Sequence, residues 1–289
     1  MVNNLEEKYQ IDIMVATRDR HSELALLLQS LRSSSFKNWN LLICDESQTP
    51  VTQCYFFNAL INRIKLEGHK VKLLRNNISN GVCAVRQLLN DEQQKWNTGS
   101  NLCLRLDDDV LLTEDYIFKL LQVIETGYDM STGVIPLLST PEVEREVKFV
   151  KPIICYHKLD KEGNIIERKD DLGFCYLTEE ILPCHQFRTN VLYKSEINKK
   201  ISYPKTLTQT GFREELWFSF KVIIEGYTLG VNTMAKAFHL QTPSGGTRYA
   251  PQLYAQNVAL DEDTTNKWVK EQFLKHGDFL QRYSEKVVK

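Results

Sequence analysis

The run Leu102-Cys103-Leu104-Arg105-Leu106-Asp107-Asp108-Asp109 joins a short, mainly apolar segment to three adjacent carboxylates. Such a segment, bounded abruptly by polar residues, reads as a strand buried on both faces. Three upstream segments repeat the design. Ile11 to Ala16 is rich in β-formers and ends in Thr17-Arg18-Asp19-Arg20. Asn40 to Cys44 is closed by Asp45-Glu46-Ser47, and Val71 to Leu74 is followed by Asn76-Asn77-Ile78-Ser79-Asn80-Gly81. Between them the apolar spacing becomes helical. Leu24, Leu27, Leu28 and Leu31 share one face of a helix over about 22–31, and further helices fit 51–66 and 81–95. Strand alternating with helix implies right-handed crossovers and a mostly parallel central sheet flanked by helices, an α/β fold. In such sheets ligands bind outside the carboxyl ends of the strands. Each polar cluster stands at one of those ends, so the clusters converge on one edge.

The second half is less regular. Residues 142–171 are charge-rich, with short β runs at Val147 to Tyr156 and at Ile165-Ile166 and a hairpin around Lys161-Glu162-Gly163-Asn164. Gly211 to Glu225 reads as a helix, and Thr228 to Val231 and Lys236 to Leu240 as two short strands. The loop Thr242-Pro243-Ser244-Gly245-Gly246-Thr247-Arg248 follows. About the last 27 residues read as one amphipathic helix, with Trp268, Phe273, Leu280, Tyr283 and Val287 near one face.

A chain of 289 residues with 42% hydrophobic residues can bury a sizeable core. Its 36 Lys and Arg balance 37 Asp and Glu, which argues against a nucleic-acid backbone as main partner. The N-terminus MVNNLEEKYQ has no signal-peptide pattern. No apolar run approaches the roughly 18–20 residues that span a bilayer. The expectation is a cytoplasmic protein, soluble or peripherally attached to a membrane. The seven cysteines form no CxxC and are expected to be buried free thiols.

Asp107-Asp108-Asp109 carries the chemistry. Adjacent carboxylates repel, and burial would raise their pKa values. A bound Mg²⁺ or Mn²⁺ removes that problem, with phosphate oxygens and water completing its shell. The alternative is a solvated acidic turn that caps a helix starting near Thr113.

Taken together, these motifs resemble family 2 glycosyltransferases of the GT-A fold, inverting enzymes with a DxD motif. The resemblance lies in Ile11 to Arg18, Leu42 to Ser47, Asn80-Gly81 with Arg86, Leu106 to Asp109, and Gly211-Phe212-Arg213-Glu214-Glu215 followed by Glu225-Gly226-Tyr227. It implies a GT-A, Rossmann-like sheet with a small antiparallel acceptor-side subsheet and a C-terminal helix. The implied layout is a domain over 1–245, with a nucleotide-binding half (1–110) and an acceptor half (111–245), then a lid and helical extension over 246–289. It further implies a nucleotide-diphospho-sugar donor, UDP-sugar favoured, with Mn²⁺ or Mg²⁺ as cofactor and a glycan or other hydroxyl acceptor.

Carried over by residue, Ala16, Thr17 and Arg18 would hold the nucleoside, and Asp45 would read the base, an acceptor-only carboxylate facing uracil N3–H. Asn80, Gly81 and Arg86 match the helix-opening motif on the donor side. Asp107 and Asp109 match the two acids of the DxD pattern, with Asp108 between them, and His239 would join Asp109 and Asp107 at the metal. Glu215 aligns with the general base, and Glu214 remains an alternative. Trp217 stands where the family commonly has an acid. Arg248 would neutralise the leaving diphosphate from a lid. His185, Arg188 and Trp217 would edge the acceptor. Two other functions stay open: a degenerate nucleotide-sugar-binding module, and a sugar-phosphate nucleotidyltransferase. The latter normally needs a Gly-rich loop after the first strand, and Thr17-Arg18-Asp19-Arg20 has no glycine.

Overall fold

The structure, a computed structural model, describes residues 2–78, 80–140, 144–145, 153–170, 172–173, 175–176, 180–248 and 251–288. The first half runs α1 (Val2–Lys8), β1 (Ile11–Thr17), α2 (His21–Ser33), β2 (Trp39–Asp45), α3 (Tyr55–Leu66), β3 (Val71–Arg75), α4 (Val82–Lys95) and β4 (Leu102–Asp107). Then come β5 (Val110–Leu112), α5 (Tyr116–Glu125), β6 (Met130–Val134), β7 (Glu144–Arg145), β8 (His157–Leu159), β9 (Ile165–Arg168), β10 (Cys175–Tyr176), β11 (Ile181–Pro183) and β12 (Val191–Lys194). The chain closes with α6 (Ile197–Lys200), α7 (Glu214–Ile224), β13 (Leu229–His239), α8 (Pro251–His276) and α9 (Phe279–Val287).

The main sheet has the order β11-β13-β6-β12-β4-β1-β2-β3, with β5 paired to β13. Strands β4, β1, β2 and β3 are parallel, as are β6 and β13, while β12 runs antiparallel between the two groups. Alternation of side chains across the sheet sorts the core into two layers. Ile11, Ile13 and Val15 pack with α2, α3 and α5, and so do Leu102, Leu104 and Leu106. Met14 and Cys103 face the other layer, with α4 and β12. Asp12 is buried on that second face. Its carboxylate accepts from Asn40 (2.9 Å), Gln93 (3.0 Å) and Thr98 (2.9 Å), which offsets its desolvation.

The expected hairpin is present as β8–β9, closed by the turn Asp160–Asn164. Most of the β run expected over Val147 to Tyr156 lies outside the described residues. Two other expectations change. The two short strands after Thr228 are one strand, β13, whose register shifts between Val231 and Lys236. Asn232 Oδ1 accepts the Met234 N–H at that irregularity, so the chain stays in the sheet while its apolar pattern breaks. The C-terminal helix is two helices. Gly277 takes a left-handed turn at φ 64°, and Asp278 caps α9 by accepting Gln281 N–H at 2.8 Å.

Helix α8 packs into the domain. Asn257, Asp261, Thr265 and Trp268 recur on one face. Trp268 stacks on Trp217 with centroids 4.0 Å apart, and Asp261 accepts from Thr208 and Phe212 backbone N–H groups. Among the described residues no helix is long and apolar enough to cross a membrane. The six cysteines whose side chains are described are free, and all but Cys54 are buried.

Candidate active site

The exits of β1 and β4 open into a cavity of about 380 Å³, closed by α4, the turn before α7, the end of β13 and the loop 244–248. Ala16, Thr17, Arg18, Gly81, Arg86, Asp107, Asp108, Asp109, Arg188, Glu214, Glu215, His239 and Arg248 all line it. Residues distant in sequence meet because parallel strands end at the same edge.

The three aspartates have different partners. Asp108 accepts from Thr17 Oγ1 at 2.8 Å and Arg20 Nη1 at 3.0 Å, and so ties the β1 exit to the β4 exit. Asp107 accepts from Arg86 Nη2 at 2.9 Å. Asp109 Oδ2 stands 3.0 Å from Arg20 Nη1 and 3.3 Å from His239 Nε2. Burial pushes Asp107 up to about 6 and Asp108 up to about 7, against the pull of Arg105 and Arg20 respectively. For Asp109 burial acts upward too, but His239 and then Arg20 outweigh it and hold the carboxyl below its ordinary range. Asp109 is therefore the carboxylate most ready to serve as an anionic ligand.

Asp109 and His239 fit a divalent cation: one carboxylate and one imidazole with donor atoms 3.3 Å apart leave the other positions to phosphate oxygens and water. Among the described residues no cluster of three His, Cys, Asp or Glu side chains is arranged to hold a metal. Asp107, expected as a third ligand, is turned instead toward Arg86.

The two glutamates at the start of α7 also separate. Glu214 is buried and accepts both terminal nitrogens of Arg105, at 3.0 and 2.5 Å, and Arg86 Nη1 lies 2.9 Å away. Burial pushes its carboxyl up, with Arg105 acting in the opposite direction and Glu215 adding to the rise. Glu215 is part-exposed, and its nearest cation is Arg105 Nη2 at 3.8 Å. Glu214 is a buried strut; Glu215 lines the cavity with a part-exposed carboxylate.

Glycine makes this geometry accessible. Gly81 opens α4 at φ 93°, and a Cβ there would lie 2.4 Å from Gln209 Cα. Val82 N–H donates to Gln209 O at 3.1 Å. The start of α4 is thus pressed against the loop before α7, which brings Arg86 within reach of Glu214. The loop 244–248 is docked as well. Gly246 N–H donates to Arg18 O at 2.8 Å, and Arg20 Nε to Ser244 O at 3.2 Å.

Several expected residues stand elsewhere. Asp45 does not line the cavity: its oxygens accept Ser47 N–H and Val51 N–H, each at 2.9 Å, with Arg75 at 3.1 Å. A buried carboxylate needs all these donors, so it shapes the turn after β2, and Glu46 faces the cavity in its place. Asn80 is exposed outside the cavity. His185 is buried, with His157 N–H on its Nδ1 (3.0 Å) and Ser284 Oγ at its Nε2 (3.0 Å). Trp217 is buried against Trp268 and donates to Thr265 Oγ1 at 3.1 Å. Both belong to the packing of the C-terminal helices and not to an acceptor surface. Sequence reading missed Arg20 and Arg105. Arg105 had left a signal, a charge in the middle of an apolar strand.

The architecture is that of the GT-A fold. A structure of GalNAc-T7 with UDP, GalNAc and Mn²⁺ superposes with a TM-score of 0.62 at 14% identity, over 87% of this chain and 48% of that one. Residues 1–349 of TarS from S. aureus, in complex with UDP-GlcNAc, give 0.58 at 12% identity, over 92% and 71% of the two chains. A longer TarS structure gives 0.53 at 13% identity, over 81% and 37%. The chain thus spans about half the length of GalNAc-T7 and less of the longer TarS chain. Likeness at these identities establishes the fold. No protein-family profile matches the chain, and no curated protein matches it in sequence.

Proposed function

We propose that the protein is a metal-dependent glycosyltransferase that moves a sugar from a nucleotide-diphospho-sugar, a UDP-sugar favoured, to an acceptor hydroxyl with inversion. The observation that carries this reading is the division of labour among the acids of one cavity: Asp109 with His239 on one wall, part-exposed Glu215 on another. Solved structures with this fold hold UDP, Mn²⁺ and UDP-GlcNAc, which supports the choice of donor. When bound, the cation would offset charge gathering on the leaving diphosphate. Arg18, Arg86 and Arg248 line the same cavity and would bind and orient the phosphates. Glu215 would accept the acceptor's proton as its oxygen attacks. Arg105 and Arg86 fix Glu214, and hence the first turn of α7 that presents Glu215.

The test uses UDP-GlcNAc and UDP-GalNAc with Mn²⁺. Glu215→Gln should bind donor as wild type does while losing turnover at least about 100-fold, the scale of general base catalysis. Asp109→Ala should lose turnover and the Mn²⁺ dependence of UDP binding, read by thermal shift. Full turnover in both variants would sink the proposal, and binding without any turnover in wild type would favour a binding module.

A further inference from the structure

One wall of the cavity is not used by the chemistry above. Strand β4 lies between β1 on one side and β12 on the other. Ala16, Thr17 and Arg18 leave β1, whereas Gln186, Arg188 and Thr189 lead into β12 and so line the cavity on the far side of Asp107. Arg213, in the turn before α7, lines it too. This wall holds polar groups that the protein leaves unsatisfied. Thr189 is only 8% exposed, yet its Oγ1 has no hydrogen-bond partner among the described residues. Arg188 is half-buried and pairs with no carboxylate among the described residues. Arg213 shares a single carboxylate, Glu262, with Arg168 (3.3 and 2.7 Å), and its Nε is buried without a partner. Burial, and then the charge of Arg168, hold the Arg213 pKa below its usual value. The carboxylates on the wall are already engaged or reserved: Asp170 accepts from Cys155 Sγ at 3.4 Å, Glu214 is held by two arginines, and Glu215 faces the reaction.

We propose that Arg188, Arg213 and Thr189 form a subsite for an oxyanion, a phosphate or a carboxylate, carried by the acceptor beside the hydroxyl that is glycosylated. This deepens the glycosyltransferase reading and rests on it for its purpose. Two guanidinium groups present donors in the fork geometry that suits an oxyanion, and the Thr189 hydroxyl adds another donor. A neutral acceptor leaves these buried donors unpaired, so the subsite selects against it.

The decisive experiment titrates inorganic phosphate, and acetate as a carboxylate probe, into the full chain saturated with UDP, so that the diphosphate-binding arginines are occupied. Calorimetry should show phosphate or acetate binding to wild type, weakened at least about tenfold in Arg188→Ala and less in Arg188→Lys. The stronger probe identifies the oxyanion. Among the described residues the Arg188 side chain holds no ion-pair or hydrogen-bond partner, so Arg188→Ala should unfold at the wild-type temperature; Arg213→Lys provides a second variant that keeps the charge. Absence of binding to UDP-saturated wild type, or equal binding by Arg188→Ala, overturns the subsite. If UDP itself does not bind, the donor reading fails instead, and the same comparison in nucleotide-free protein still judges this wall.

Discussion

Arg105 and Glu214 sit in the middle of the molecule, yet they are the reason Glu215 is available. Arg105 is 4% exposed and carries its charge because its neighbours, Glu214 in bidentate contact first and then Tyr203, Glu215 and Asp107, together more than restore what burial removes. Such a pair contributes little against an apolar replacement, but loss of one partner strands a buried charge. Arg105→Ala should therefore destabilise by about 3–5 kcal/mol, measured by chemical denaturation. Glu214→Gln keeps the shape and loses the charge. It should also destabilise, but at permissive temperature retain more turnover than Glu215→Gln. The opposite order would make Glu214 the base. The same residues mark the limit of sequence reading. The acids at 107–109 and 214–215 stand out because carboxylates rarely cluster without a cation. Their partners Arg20, Arg86 and Arg105 lie far apart in sequence, and spacing alone does not say which arginine takes which acid.

At the scale of elements, the first half of the fold was legible because each unit obeys one period. Strands β1, β2 and β4 are mainly apolar and buried, and α2 carries leucines on one face, so local pattern and tertiary burial agree. The second half was not legible where elements break their period. Strand β13 continues through Asn232 at its register shift, and β12 contributes only Val191–Lys194 between β4 and β6. Asp45 illustrates the site's limit: its residue type suits base recognition, and its backbone hydrogen bonds hold it in the turn after β2, outside the cavity lining. The join between α4 and the 208–211 loop yields a test. Gly81→Ala must place a Cβ 2.4 Å from Gln209 Cα at a left-handed φ, so it should cost roughly 2–3 kcal/mol and shift Arg86 off Glu214, lowering turnover. Gly68 has a similar φ and open space around it. Gly68→Ala should cost only about 1–2 kcal/mol, the conformational part, with turnover unchanged. Equal effects of the two substitutions would show that the loop yields and does not position α4.

At the scale of the molecule, a net charge of −1 conceals a sorted interior. Acids and arginines line the cavity together, while the opposite side of α7 is sealed by α8 and α9 through Trp217, Phe220, Trp268 and Phe279, with a buried histidine pair beside them. His185 Nδ1 accepts the backbone N–H of His157, and its Nε2 meets Ser284 on α9; His157 Nε2 meets Gln186 Oε1 at 2.9 Å. Burial lowers His157 to about 3 and His185 to about 4, from an ordinary 6.5. Below pH 6.5 the unfolded chain therefore binds protons that the folded chain refuses, and stability falls with pH until the folded values are reached. The limiting slope is about 1.4 kcal/mol per pH unit for each histidine. Asp107 and Asp108, raised to about 6 and about 7, act with the opposite sign over the same window, because there the folded state binds the protons. Wild-type stability between pH 7 and pH 5 thus mixes two opposed contributions. The histidine part is isolated by the difference between wild type and His185→Gln, which keeps hydrogen-bonding capacity and cannot titrate. The variant should be less stable at pH 7, and its deficit should shrink by about 2 kcal/mol by pH 5 in urea denaturation. A deficit that stays constant with pH would mean that His185 is protonated as readily in the folded protein as in the unfolded one, and that α9 is held by packing alone.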